Sequence, residues 1–172
     1  SELKDDLGKI DLKSDITTFS LLKKISKVKA KISNREEIVL CGEYFLKRFI
    51  NKKFNGIKYK ANFKDGQKIK KNSEIILLNG DVRDIFLIER TILNFIQHLS
   101  SIATQTSKFV KKLKNSKTKL LDTRKTTTGM RFLEKYATKI GGALNHRVGL
   151  FDKILVKDNH IKFLGGISAT LN

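Results

Sequence analysis

From Gly56 to Phe63 apolar and polar residues alternate: Ile57, Tyr59, Ala61 and Phe63 on one side, Lys58, Lys60 and Asn62 on the other. A period of two over this length predicts a strand with one buried and one wet face. Lys24 to Asn34 alternates similarly around Ile25, Val28, Ala30 and Ile32, and Ile38–Cys41 and Ile75–Leu78 are short apolar runs of strand length. Asn34–Glu37 and Lys64–Gln67 separate them as turns, and Glu43–Ile50 is helical after Gly42. At Asp81 the period changes. Ile85, Ile88, Ile92, Phe95, Ile96, Leu99 and Ile102 recur at intervals of three and four, with Asp81 as N-cap and Asp84 three residues on, so a helix runs towards Lys112. More than thirty residues is long for one globular helix, and a break is expected near Ser100–Ser101.

The second half alternates differently. Lys108–Lys119 is a basic connector with six lysines, read as a solvated helix end and loop. Leu120–Leu121 leads into Asp122 as a strand. Arg131–Ile140 is an amphipathic helix, with Phe132, Leu133, Tyr136 and Ala137 inward and Gly141–Gly142 as its stop. Ile154–Val156 is expected to be the next strand, and the first twenty residues a short helix and a loop. Strand–helix–strand order after Leu120 is that of βα units in a parallel barrel. The fold class is therefore α/β: an N-terminal α/β sandwich domain (residues 1–97) followed by the first units of an incomplete α/β barrel (residues 98–172).

Composition offers a competing picture. The formal net charge is +19, which usually points to nucleic acid. The cations are uneven in kind, however, with 29 Lys against 7 Arg and no Pro at all. That bias fits a drift towards A/T-rich codons, and it gives the few arginines more weight, because Arg supplies a planar bidentate fork that Lys lacks. Aromatic residues are 8%, mostly Phe in apolar runs, and no helix-turn-helix, zinc or RNA-recognition pattern occurs. One cysteine, Cys41, rules out an internal disulfide; it is expected as a buried thiol in a cytoplasmic protein. No apolar stretch is long enough to span a membrane.

Three cation-rich segments recur late in the chain: Asp122-Thr123-Arg124-Lys125-Thr126-Thr127, Asn145-His146-Arg147 and Lys157-Asp158-Asn159-His160. Singly, each would be an ordinary solvated loop. Together, each after or within a short apolar run, they would present cations at the mouth of a barrel to a small molecule with several negative charges. His98 and His160 read as structural, and Asp122, Thr123 and Asn159 as residues that shape the loops.

With Glu89-Arg90-Thr91 upstream, this ordered set closely resembles the quinolinate phosphoribosyltransferase family, over about Asp11 to Ile161. The resemblance implies transfer of a phosphoribosyl group from phosphoribosyl pyrophosphate to quinolinate, with loss of pyrophosphate and CO2, in NAD biosynthesis. It implies that Arg124, His146 and Arg147 face quinolinate and that Lys125 lies near the phosphates. Lys157 would sit between the two substrates, making Lys125 and Lys157 the candidate catalytic residues. Arg90 would reach the pocket of the neighbouring subunit of a homodimer. Mg2+ would accompany phosphoribosyl pyrophosphate, with no ligand from this chain. Some positions depart from the family: Thr128 stands in place of a proline, Ser14 and Ser101 in place of glycines.

A complete barrel takes about 250 residues, whereas 53 run from Leu120 to Asn172. The chain thus reads as a truncated copy or fragment, in which the carboxylates for ribose and metal and the glycine-rich phosphate loops are missing, and little or no turnover is expected of it. The alternatives are a ModD-like paralogue of the same fold with a different substrate, and a basic nucleic-acid-binding protein.

Overall fold

Glu74–Asp81 forms β5, the central strand of a three-stranded antiparallel sheet flanked by β1 (Lys27–Ser33) and β3 (Lys58–Ala61). The computed structural model describes residues 4–5, 15–24 and 26–171. In β1 (Lys27–Ser33) and β3 (Lys58–Ala61) every second residue is exposed, as the period of two requires. Lys27 pairs with Asp81 and Lys58 with Asn79, and the β1 register slips between Ile32 and Ser33. The sheet thus turns Lys27, Lys29, Lys31, Lys58 and Lys60 to water. A second ladder joins β2 (Ile38–Val39) to β4 (Lys68–Ile69). Helix α1 (Ile16–Leu21) is capped by Asp15, whose side chain accepts from the Thr18 amide. The remainder of the helix and loop expected in the first twenty residues, and Ile25 of the first strand run, lie outside the described residues.

Helix α2 (Glu43–Lys53) begins at Gly42, whose φ is +108°. A side chain there would also press on Phe95 and Leu99, so glycine is required twice over. Helix α3 (Val82–Lys112) covers the sheet with Ile85, Ile88, Ile92 and Ile96. Each such fully buried aliphatic side chain contributes roughly 1.5–3 kcal/mol.

The break expected near Ser100–Ser101 is absent: α3 runs unbroken for 31 residues. Its serine and threonine are used for docking instead. Ser100 Oγ accepts from the Cys41 amide (3.0 Å) and donates to the Cys41 carbonyl (3.2 Å). Thr104 Oγ1 accepts from the Val39 amide (2.9 Å) while donating to the Ser100 carbonyl. These bonds satisfy backbone groups of Val39 and Cys41 and dock the helix against that segment. Cys41 is fully buried, as expected.

Beyond α3 the chain makes the opening of a barrel. Leu121 and Leu144 form one parallel bridge, with α4 (Arg131–Ile140) between them in sequence. Helix α4 packs Leu133, Tyr136 and Ala137 on the distal half of α3, where Val39, Cys41, Leu99 and Ala103 form a second core. Gly141 lets the two helices close, because a Cβ there would stand 2.6 Å from the Ala103 carbonyl oxygen. Two expectations need correction. Phe132 is 71% exposed rather than inward; it meets Phe45 edge-on at 6.2 Å at the rim of the helix interface. Ile154–Val156 forms no strand, and Ile154 is 95% exposed. An apolar run becomes a strand only by pairing with a neighbour, and among the described residues none lies alongside it. Short helices α5 (Asp158–Phe163) and α6 (Ile167–Leu171) follow, with no buried side chain.

Candidate active site

The bridge between Leu121 and Leu144 sets the Asp122–Thr127 loop beside Asn145–Arg147. The Leu144 amide donates to the Leu120 carbonyl and the Asp122 amide to the Leu144 carbonyl. Between the loops lies the Asp122 carboxylate. It accepts from the His146 amide (2.7 Å), from Asn145 Nδ2, from Thr138 Oγ1 and from Lys135 Nζ. The Lys135–Asp122 pair is buried, its side chains 6% and 4% exposed. Burial pulls the Asp122 carboxyl up, but the bonds from Lys135, Asn145 and the His146 amide outweigh it and hold the group below the ordinary carboxylate value. Asp122 is thus an ionised clamp that fixes Arg124 and His146 on adjacent chain segments.

Helix α4 holds the first loop a second time. Glu134 Oε2 accepts from the Thr127 amide at 3.1 Å. Arg131 donates to Thr126 Oγ1 (3.4 Å) and to the Val148 carbonyl (3.3 Å), touching both loops. Arg124 itself is half-buried, and its Nε is buried without a hydrogen-bond partner. Lys125 is exposed, its amide bonded to Thr123 Oγ1.

Arg147 is 5% exposed and donates to the Lys153 carbonyl. With Lys157 and His160 it lines a concavity of about 500 Å3 whose wall is otherwise mostly apolar. Arg124, Lys125 and His146 do not line it. Lys157 precedes α5, where its amide donates to His160 Nδ1 at 2.9 Å, so His160 serves the local turn. Arg90 is exposed on α3, outside this network. Glu134 and Lys135 join the site without a motif in the sequence to mark them, whereas Asn145 belongs to the Asn145–Arg147 segment. The signal present is two adjacent charges on the helix that follows the Asp122–Thr127 loop, a pattern that ordinarily marks a solvated face.

No three His, Cys, Asp or Glu side chains gather as metal ligands among the described residues. No described helix is long and apolar enough to cross a membrane.

An antiparallel sheet, a long linking helix and cation-bearing loops at the start of a parallel α/β unit define the class: an α/β protein in which a sheet domain is followed by the opening of a barrel. Residues 15–100 match the profile of the quinolinate phosphoribosyl transferase N-terminal domain, and residues 102–172 that of its C-terminal domain. The chain belongs to the quinolinate phosphoribosyltransferase family. It is 42% identical to the probable nicotinate-nucleotide pyrophosphorylase (carboxylating) of Methanocaldococcus jannaschii over 153 residues, 88% of this chain and 53% of that protein. The corresponding Bacillus subtilis protein is 39% identical over 89% of this chain and 53% of its own length. The solved nicotinate-nucleotide pyrophosphorylase from Francisella tularensis superimposes with a TM-score of 0.89 at 44% identity, over 99% of this chain and 59% of that one. That from Ehrlichia chaffeensis gives 0.91 at 42% identity, over 98% and 60%. The chain spans about half the length of the curated relatives it matches.

Proposed function

We propose that this chain supplies the quinolinate-facing part of a phosphoribosyltransferase site that converts quinolinate and phosphoribosyl pyrophosphate to nicotinate mononucleotide, pyrophosphate and CO2. The observation that carries the reading is Arg124 Nε, a buried cationic donor with no acceptor. Such a group is costly unless an anion meets it. A pyridine dicarboxylate provides that anion, and the Arg fork suits a planar carboxylate.

In this reading Arg124, His146 and Arg147 hold the two carboxylates, and Lys125 and Lys157 face the phosphoribosyl side. The ring nitrogen attacks the ribose C1, the bond from C1 to the diphosphate oxygen breaks, and pyrophosphate leaves with the electron pair. The bond from the ring to the neighbouring carboxylate then breaks, CO2 departs, and the ring carbon takes a proton. Fixed cations favour both steps by positioning the reactants and by stabilising charge as it develops. The Mg2+ expected with the diphosphate has no ligand set among the described residues, and Asp122 is already occupied by its four donors. No step here runs through the metal. The exposed Arg90 on α3 suits a role in a partner subunit's pocket, which would make the site a property of a cytoplasmic homodimer. The division into an N-terminal domain (1–97) and a barrel domain (98–172) then falls within α3.

Calorimetric titration with quinolinate tests the reading. Micromolar to millimolar binding is expected, weakened by salt and reduced at least about tenfold in Arg124→Lys, which keeps the charge but loses the fork. Absence of binding, or equal affinity in Arg124→Lys, would overturn it.

A further inference from the structure

Within the loop carrying Arg124 and Lys125 the hydrogen bonds are short-range. The Thr126 amide bonds the Arg124 carbonyl, and the Met130 amide bonds the Thr127 carbonyl. Thr128 leads into Gly129, whose φ is +80°, and no proline fixes the backbone at the exit. Beyond the Asp122 clamp, the acceptor that reaches into this loop from outside is Glu134, 8% exposed, in the first turn of α4.

We infer that Glu134 is a positioning residue: it links the Thr127 amide to His98 on α3 and thereby sets where Arg124 and Lys125 stand. The inference rests on the reading of Arg124 and Lys125 as anion-binding residues. The geometry is a bridge, with Oε2 on the Thr127 amide at 3.1 Å and Oε1 on His98 Nε2 at 2.9 Å. Burial pulls the Glu134 carboxyl up, but the bonds from Thr127 and His98 outweigh this and hold it below its ordinary value. It is therefore ionised at neutral pH and can only accept, which requires His98 to carry its proton on Nε2. A buried acceptor of this kind is worth ordering only if the position of the amide matters, and that amide lies two residues after Lys125. The arrangement also ties the loop to the helix that bears Arg90, joining both parts of the proposed site.

The test compares wild type with Glu134→Ala, Glu134→Gln and His98→Ala, reading amide hydrogen exchange at Thr127, Leu99 and Ala137 together with the quinolinate dissociation constant. In Glu134→Ala, Thr127 exchange should rise about tenfold or more. Quinolinate should bind about tenfold more weakly, since the arginine fork is no longer held in place. Leu99 and Ala137 in the second core should keep their protection. Glu134→Gln should restore both readouts, with its carbonyl on Thr127 and its amide donating to the other tautomer of His98, and His98→Ala should fall between. If Glu134→Ala does not fold, Glu134→Asp, which keeps the charge on a shorter arm, carries the same expectation. Unchanged Thr127 exchange in Glu134→Ala, or loss of protection spread equally over Leu99 and Ala137, would overturn the inference. If wild type binds no quinolinate, the functional reading fails, while Thr127 exchange still decides the role of Glu134.

Discussion

Replacing Asp122 by Asn should destabilise the protein more than any single surface change, although the two side chains have nearly the same shape. Both members of the Lys135–Asp122 pair are buried. Removing the carboxylate charge leaves Lys135 as an uncompensated cation in the interior, a change that costs about 3–5 kcal/mol. The Asn carbonyl can still accept from Lys135 and the His146 amide. Its NH2, however, would face Asn145 Nδ2 and Thr138 Oγ1, which now donate to Asp122. Set against a typical domain stability of about 5–15 kcal/mol, the loss is severe. With a urea slope near 2 kcal/mol/M, the unfolding midpoint should fall by about 1.5–2.5 M. The chain has no Trp, so far-UV circular dichroism is the suitable probe. A second substitution, Lys135→Met, removes the stranded charge, and the double variant should regain most of the loss. A deficit below about 1 kcal/mol for Asp122→Asn, or a double variant no more stable than the single one, would refute the clamp.

The same group predicts a pH signature. Its folded pKa is lowered, so its contribution is fully present above the unfolded value near 3.9 and is lost as pH falls through the folded value. The stability gap between wild type and Asp122→Asn should be constant above about pH 5 and close in acid, as read by thermal melting. Ser100→Ala leaves the buried Cys41 amide without its acceptor and should cost about 1–3 kcal/mol in denaturant unfolding. Gly141→Ala drives a methyl against the Ala103 carbonyl and Thr106, and should lower stability by about 1–3 kcal/mol in the same assay.

Local pattern carried the N-terminal half. The alternation around Tyr59, the cap at Asp81 and the three-four spacing through Ile96 are short-range signals, and each is obeyed. What the chain pattern could not show depends on partners distant in sequence. Length alone suggests a break near Ser100–Ser101, whereas the contact that docks Ser100, its bonds to the backbone of Cys41, lies 59 residues away. Ile154–Val156 has the composition of a strand but no neighbour to pair with among the described residues, so propensity alone does not make it one. For the site, the cationic motifs were legible because Arg is scarce in this Lys-rich chain. Their supports were not. Glu134 and Lys135 on α4 look like a wet helix face until Asp122, Thr127 and His98 are seen to converge on them. The five lysines on the open sheet face show the opposite case, abundant charge on a solvated surface.

On the proposed function, the cations that bind substrate are the few on the clamped loops and not the many on the sheet. A nuclear magnetic resonance titration of the isotope-labelled protein with quinolinate tests this most directly. The account predicts shifts concentrated at Arg124–Thr127, Asn145–Arg147 and Lys157, saturating together with one dissociation constant. Shifts spread instead over Lys27, Lys29, Lys31, Lys58 and Lys60, or no shifts at the two loops, would contradict it.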